Sequence, residues 1–308
     1  MEEDYPKSLV EFERCFMSDA ACLDYLIQLR WGDTFACPKC GCSEFWQMDR
    51  GLRCCRACRH QTSVTAGTIF HGARKPLTLW FRAMWHITNQ KYGANALGLQ
   101  RMLNLGSYHT AWEWLHKLRR AMVRPGRDIL SGTIQVDETY IGGRKKGKRG
   151  RGALGKAVVV IAVEDKGEHG IGRIRLAKLP DASASSIDNF LNRSIALGSH
   201  IITDDWSGYT NVEGKYSREV WASIDLKLPH LIAALLKRWL LSAYQGAARR
   251  SHLDYYLDEY TFRFNRRKSK SRGKLFYRLV QQALMVDPQP RSTLKAPNGP
   301  SQEDEFDV

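Results

Sequence analysis

The chain is 308 residues long, with 43% apolar residues, nine tryptophans and a formal net charge of +15. That length predicts about two domains at roughly 150 residues each, and no stretch approaches the ~18 consecutive apolar residues of a helical membrane span. The positive excess calls for a polyanionic partner, nucleic acid first. The acidic start Met1-Glu2-Glu3-Asp4 has no hydrophobic segment behind it, so the expected location is the cytoplasm.

Tyr5 to Gly32 reads as helical from two apolar groups, Leu9, Val10, Phe12 and Phe16, then Cys22, Leu23, Leu26, Ile27 and Leu29. All eight cysteines, Cys15, Cys22, Cys37, Cys40, Cys42, Cys54, Cys55 and Cys58, lie in the first 58 residues. A disulfide framework is out of place in a cytosolic chain. Cys37-Pro38-Lys39-Cys40 and Cys55-Arg56-Ala57-Cys58 are two Cys-x-x-Cys knuckles separated by the 14 residues from 41 to 54. Two thiolates on a tight turn can face one ion, and two such turns on a short hairpin complete the tetrahedral shell that zinc prefers. Cys54 could replace Cys55 in a slipped register, but the spacing favours Cys55. A ribbon this small folds around its metal, so the zinc is structural.

Gln61 to Thr65 reads as the last ribbon strand. Leu77 to Thr88 suits a buried helix with Pro76 at its start. Ala94–Leu103 and Tyr108–Val123, joined by Asn104-Leu105-Gly106-Ser107, have a helix-turn-helix outline. The second helix carries His109, His116, Lys117, Arg119 and Arg120 for DNA. Pro125-Gly126-Arg127 then breaks the pattern. The expected division is a helical segment over 1–32, a zinc ribbon over 33–68, a helix-turn-helix-like region over 69–127, a catalytic domain over 128–288 and a disordered tail over 289–308.

The catalytic region opens with Thr133 to Ile141, a β-branched run containing Asp137 and followed by Gly142-Gly143. An Asp inside a strand loses solvation unless a metal, a cation or hydrogen bonds compensate. Glu138, its neighbour, should face the other side of the sheet. Six cations then fall within eight residues, Arg144 to Arg151, too charged to pack and suited to a phosphate backbone. Ala157–Val163 is a continuous apolar strand of the kind buried on both faces. Ile171–Leu179 alternates as its hairpin partner, and Ser183–Leu197 reads as a helix. His200 to Asp205 repeats the opening device, a short strand ending in acid. Two strands that each deliver an Asp can bring the carboxylates together at one edge of a mixed sheet. Such a pair shares a proton or binds metal, and hard oxygen ligands favour magnesium or manganese. Two such ions can clamp a phosphodiester for displacement.

With these residues assembled, the sequence resembles the DDE-type insertion-sequence transposases of the ISXO-like group. The resemblance rests on the two cysteine knuckles, Ser63-Val64-Thr65-Ala66-Gly67-Thr68, Val136-Asp137-Glu138-Thr139-Tyr140-Ile141-Gly142-Gly143, Thr203-Asp204, Leu236-Lys237-Arg238-Trp239-Leu240, and the stretch from Tyr256 to Arg267. It runs from about Cys37 to Leu284. It implies a zinc ribbon before an α/β, ribonuclease-H-like mixed sheet with flanking helices. The implied reaction is metal-dependent cutting of transposon DNA ends and transfer of the 3′-hydroxyl to target DNA, with Asp137 and Asp204 as ligands for two divalent ions.

The third ligand position falls on the helix from Leu228 to Tyr244. Leu231, Ile232, Leu235, Leu236, Trp239 and Leu240 form its apolar face, while His230, Ala233, Ala234 and Lys237 share another stripe. An imidazole and an ammonium separated by alanines could reach a phosphate, and the resemblance also points to His230 before Lys237. Glu259 is the rival ligand, although Arg263 at i+4 explains it as a helix ion pair. The span from Tyr209 to Leu228 is shorter than the family pattern implies. Should the helix fail to reach Asp137 and Asp204, the chain is a catalytically inert DNA-binding protein, a degenerate copy or a regulator. Arg263, Arg266, Arg267, Lys268, Lys270, Arg272 and Lys274 are offered to DNA, with Phe276, Leu279 and Leu284 anchoring a last helix. The partners expected are DNA and a second copy of the chain, because two DNA ends must be handled, with no membrane and no nucleotide cofactor.

Overall fold

The computed structural model describes residues 3–142, 156–212, 214–244 and 249–294. The basic run Arg144–Arg151 and the acidic tail Asn298–Val308 lie outside the described residues. The chain forms two units, one made of the residues up to Pro125 together with the stretch from Ser269, the other running from Gly126 to Lys268.

In the first unit the expected N-terminal helical segment is two helices, α1 (Leu9–Cys15) and α2 (Asp19–Arg30). The break falls at Ser18, whose backbone is extended and whose side-chain Oγ accepts the Ala21 N–H at 3.2 Å, so that a new helix starts. Strands β1 (Phe45–Gln47), β2 (Arg53–Cys55) and β3 (Gln61–Thr62) form an antiparallel sheet in that order. The ribbon is tied to α2. Arg53 lies over the rings of Trp31, Phe35 and Phe45 at 4.5, 5.2 and 4.1 Å, and Arg30 donates to the carbonyls of Val64 and Ala66 at 2.5 and 2.7 Å.

Helices α3 (Leu77–Asn89), α4 (Ala96–Leu103) and α5 (Tyr108–Ala121) follow. Asn104 ends α4 in the left-handed region at φ 49°, and Ser107 caps α5 by accepting the His109 N–H, which makes the tight turn between them. Two of the cations expected to face DNA do not. His116 is fully buried against the Trp112 ring, and Arg119, 2% exposed, donates to the Ala94 carbonyl. The helix turns them inward because they share the stripe of Leu115 and Leu118; Tyr108, His109 and Arg120 remain exposed.

The second unit contains β4 (Thr133–Ile141), β5 (Ala157–Asp165), β6 (Ile171–Leu179), α6 (Ala184–Ser194), β7 (His200–Thr203), β8 (Ser217–Val220), α7 (Lys227–Tyr244) and α8 (Leu253–Asn265). The sheet order is β6-β5-β4-β7-β8; β4, β5 and β6 are antiparallel, while β7 and β8 run parallel to β4. This is the ribonuclease-H-like mixed sheet. β5 is buried throughout from Ala157 to Val163 because helices cover both faces. Val158, Val160 and Ala162 pack with Ile187, Phe190 and Leu191 of α6. Val159, Ile161 and Val163 pack with Ile232, Leu236 and Leu240 of α7 and Leu257 of α8.

The last long helix, α9 (Arg272–Ala283), corrects the expected 128–288 span, since it belongs to the first unit. The reason is aromatic packing: the Phe276 ring lies 5.4, 5.6, 5.7 and 5.7 Å from those of Phe12, Phe16, Phe81 and Trp85. Gly273 lets the backbones meet, because a β-carbon there would collide with the Pro6 carbonyl. Several cations that the sequence offered to DNA are also occupied internally. Arg263 pairs with Glu259 at 2.8 Å, Arg266 lies over the Phe262 ring, Arg267 donates to the Gly172 and Phe264 carbonyls, and Lys274 pairs with Glu3.

At the far end of β5, Glu164 (2% exposed) accepts from Arg173 Nη2 at 2.6 Å and from the backbone N–H groups of Arg173 and Ser131. A β-carbon on Gly172 would come within 2.8 Å of this carboxylate, so glycine leaves the room it needs. Burial pushes the Glu164 carboxyl up, but the Arg173 guanidinium and the N–H donors outweigh burial and hold it below its usual value. Because the folded form is the stronger acid, its stabilisation is fully present above the unfolded-chain value of about 4.3 and is lost as pH falls below it. Glu164→Gln is therefore expected to cost about 2 kcal/mol at neutral pH. In thermal melts the gap to wild type should close as the pH is lowered toward about 3; a pH-independent gap would contradict the assignment.

Candidate active site and zinc centre

The ribbon brings the four predicted thiols, those of Cys37, Cys40, Cys55 and Cys58, within 4.8 Å of one another. Cys37 and Cys58 sulfurs are 3.6 Å apart, Cys40 and Cys55 sulfurs 3.5 Å. A tetrahedron with about 2.3 Å zinc–sulfur bonds separates its sulfurs by about 3.8 Å, so the thiols fit that ion closely. The N–H of Cys58, joined by that of Ala57, draws the Cys55 thiol down to about 6, toward the thiolate a metal needs. Cys54 stays out of the cluster and contacts the Arg59 carbonyl, which settles the register in favour of Cys55. The four-cysteine site fits a structural zinc.

In the second unit the carboxylates meet through strand register. The parallel ladder between β4 and β7 runs through Thr133↔His200, Ile134↔Ile201 and Gln135↔Ile202. Asp137 and Asp204 lie two residues beyond its last pair, Asp137 within β4 and Asp204 just past the end of β7. Alternation puts Asp137 on the face shared with Gln135, toward α7. There His230 Nε2 is 3.1 Å from Asp137 Oδ2, and Asp137 Oδ1 accepts the Glu138 N–H at 2.8 Å. Asp204 Oδ1 accepts the Trp206 N–H at 3.1 Å. Both acids are more than nine-tenths buried. Burial first, then the Glu138 and Asp204 charges, push the Asp137 carboxyl up to about 6 against the pull of the Glu138 N–H and His230. Asp137, Asp204, His230, Pro229, Ala233 and Ser223 help line a cleft of about 360 Å³.

The short connection ahead of α7 therefore still delivers His230 to Asp137. One residue that sequence reasoning missed explains how. Gln135, 4% exposed, accepts the Leu228 N–H at 3.3 Å and donates to Asp165 at 3.0 Å, pinning the first turn of α7 to β4. A polar side chain on the face of β4 that also carries Asp137 was the available signal. Arg218 was missed too; it donates to Thr203 Oγ1 and to the Asp204 carbonyl, both at 3.1 Å, and fixes the end of β7.

Both units contain segments that match known protein families. Residues 129–265 match the model of the ISXO2-like transposase domain, and residues 17–61 match that of the transposase zinc-ribbon domain. The chain belongs to this transposase family. It is 23% identical over 266 residues, 77% of this chain and 87% of the relative, to an uncharacterized protein in transposable element ISH50 of Halobacterium salinarum. Among solved structures it is similar to the Mos1 strand transfer complex, at 15% identity over 66% of this chain and 74% of that one, with a TM-score of 0.29. It is also similar to a simian T-cell lymphotropic virus intasome in complex with the PP2A regulatory subunit B56 gamma, at 14% identity over 63% and 74%, with a TM-score of 0.31. Both of these likenesses are remote. Among the described residues no helix of the transposase is long and apolar enough to cross a membrane.

The remaining predicted residues separate. Lys237 shares the His230 stripe but sits about 10 Å further along the helix axis; it is half-buried, does not line the cleft, and burial with the nearby Lys156 charge lowers its ammonium pKa. Glu259 is fully buried, accepts from Arg263 and from the Tyr244 hydroxyl at 2.8 and 3.0 Å, and does not line the cleft. Glu138, on the other face of β4, takes a hydrogen bond from the Tyr209 hydroxyl at 3.1 Å and still borders the cleft.

For the transposase zinc centre, elemental analysis of the purified protein should find one zinc per chain. Cys55→Ala should lose it and lower the melting temperature, whereas Cys54→Ala should retain it; equal zinc loss in both would overturn the ligand set.

Proposed function

We propose that this transposase cuts transposon DNA ends and transfers the freed 3′-hydroxyl to target DNA, using Asp137, Asp204 and His230 to hold magnesium or manganese in the cleft. The observation that carries the reading is the meeting of three donors from β4, β7 and α7, with His230 Nε2 3.1 Å from Asp137. Two buried carboxylates and an imidazole make a donor set of oxygen and nitrogen that suits a hard divalent ion. Burial, with the Glu138 and Asp204 charges beside it, raises the Asp137 pKa to about 6, so a bound cation would favour its charged form. Bound divalent ions would supply charge neutralisation at the phosphodiester and a more acidic attacking hydroxyl or water.

The chain's own residues supply position. Asp137 and Asp204 stay in place because the β4–β7 ladder and their backbone N–H bonds fix them. His230 is oriented by α7, which Gln135 anchors. Lys237, further along the same helix stripe, is suited to a non-scissile phosphate. Zinc ribbon, helix-turn-helix and net charge of +15 together serve DNA binding, and two ends to be joined require at least a dimer. The His230–Asp137 contact favours this reading over an inert DNA-binding copy, whose premise was a helix too short to arrive.

A strand-transfer assay with magnesium or manganese tests it. Asp137→Ala and Asp204→Ala should each reduce product by roughly a thousandfold, and His230→Ala by about a hundredfold, with duplex binding in metal-free buffer unchanged. Wild-type product that persists in Asp137→Ala, or a wild type that binds DNA and yields none, sinks the catalytic reading.

A further inference from the structure

The two cysteine knuckles are built alike. In the first, the Gly41 N–H donates to the Cys37 carbonyl at 2.8 Å and the Cys37 N–H to the Cys42 carbonyl at 2.9 Å. In the second, the Arg59 N–H donates to the Cys55 carbonyl at 3.0 Å and the Cys55 N–H to the His60 carbonyl at 2.9 Å. Gly41 and Arg59 therefore hold equivalent positions, and both are left-handed, at φ 76° and 60°. Glycine takes that conformation freely, whereas a residue with a β-carbon is strained there. Among the described residues only Arg59 and Asn104 have positive φ without being glycine, and asparagine tolerates the region. Arginine at this turn is thus a local conflict, of the sort that accompanies function.

The side chain shows what the conflict secures. The Arg59 guanidinium lies 4.5 Å from the Trp46 ring centroid, and Arg56 lies 5.7 Å from the same ring. Trp46 is 37% exposed on β1 and both arginines are exposed. Arg56 has only a long contact with Glu44 at 3.8 Å, with both side chains more than half exposed. No carboxylate pairs with Arg59 among the described residues. The ring holds the two cations against a rigid platform, and their N–H groups remain available to an anion.

We propose that Arg59 and Arg56, positioned by Trp46, form a phosphate-binding site on the outer face of the zinc ribbon that grips the backbone of duplex DNA. The inference rests on the DNA-handling function proposed above. Its charge is complementary to a polyanion, and planar guanidiniums match phosphate oxygens in pairs. Such contacts position DNA without reading its sequence.

The test measures binding of the full-length, zinc-loaded protein to a fluorescent duplex of arbitrary sequence over a range of salt, with the corresponding single strand in parallel. Arg59→Gly removes both the strain and the guanidinium. It should keep its zinc, melt at or above the wild-type temperature, and bind duplex about five- to tenfold more weakly, with a log–log salt slope smaller by about one. Arg59→Lys should recover most of the slope, and Arg56→Gln should weaken binding in the same sense. Arg59→Gly with wild-type affinity and slope overturns the site. If Arg59→Gly loses zinc, Arg56→Gln, which leaves the knuckle backbone alone, decides: wild-type binding there overturns it equally. A loss confined to the single strand would make Trp46 a base-stacking platform and overturn the phosphate assignment. A wild-type protein that binds no duplex refutes the proposed function itself, whereas normal strand transfer by a variant with unaltered binding refutes only this site.

Discussion

The second unit depends on one pairing, the parallel ladder between β4 and β7. It carries Asp137 and Asp204 out of the sheet side by side, in a place where neither is well hydrated. Burial disfavours a charged carboxylate, the neighbouring Glu138 and then Asp204 charges add to it, and together they push Asp137 up to about 6. The surrounding polar groups oppose it only partly. The Glu138 and Trp206 N–H groups each give one hydrogen bond, and His230 lies against one oxygen.

The two faces of the sheet divide the work. On the α6 face, Ile187, Phe190 and Leu191 pack against β4, β5 and the loop after β7, and the Tyr209 hydroxyl donates to Glu138. Glu138 nevertheless borders the cleft, and its charge adds to the burial that raises Asp137. On the other face, α7 and α8 cover the sheet, and Gln135 fixes where α7 begins. A helix pinned at Leu228 projects a residue two positions later with little freedom, because both lie within one 3.6-residue turn. His230 occupies that position, and a short connection before the helix does not disturb it.

The first unit is held by different means. Its core is aromatic, centred on Phe276 among Phe12, Phe16, Phe81 and Trp85, and its ribbon is joined to α2 through Arg53 and Arg30. Because α9 returns to this unit, the chain enters the ribonuclease-H-like unit after Pro125 and leaves it at Lys268. In chain order the ribonuclease-H-like unit is thus an insertion within the residues of the unit that carries the zinc ribbon.

Much of this was legible from the amino-acid sequence. The cysteine spacing determined the zinc ligands, since two short turns can present thiols in only a few ways. The apolar run Ala157–Val163 determined a strand covered on both faces, and Asp137 and Asp204 announced themselves as acids, one inside a β-branched run and one ending such a run. Periodicity put His230 and Ala233 on one stripe of α7, and both line the cleft. The tertiary structure alone decided what depends on partners distant in sequence. It turned His116 and Arg119 inward, spent Arg263 and Lys274 on internal acids, gave α9 to the first unit, and chose His230 over Glu259 as the residue at the cleft. A charged or aromatic side chain looks the same in a sequence whether it meets solvent, a carboxylate or a ring. Only the folded chain supplies the neighbour, and the neighbour determines its role.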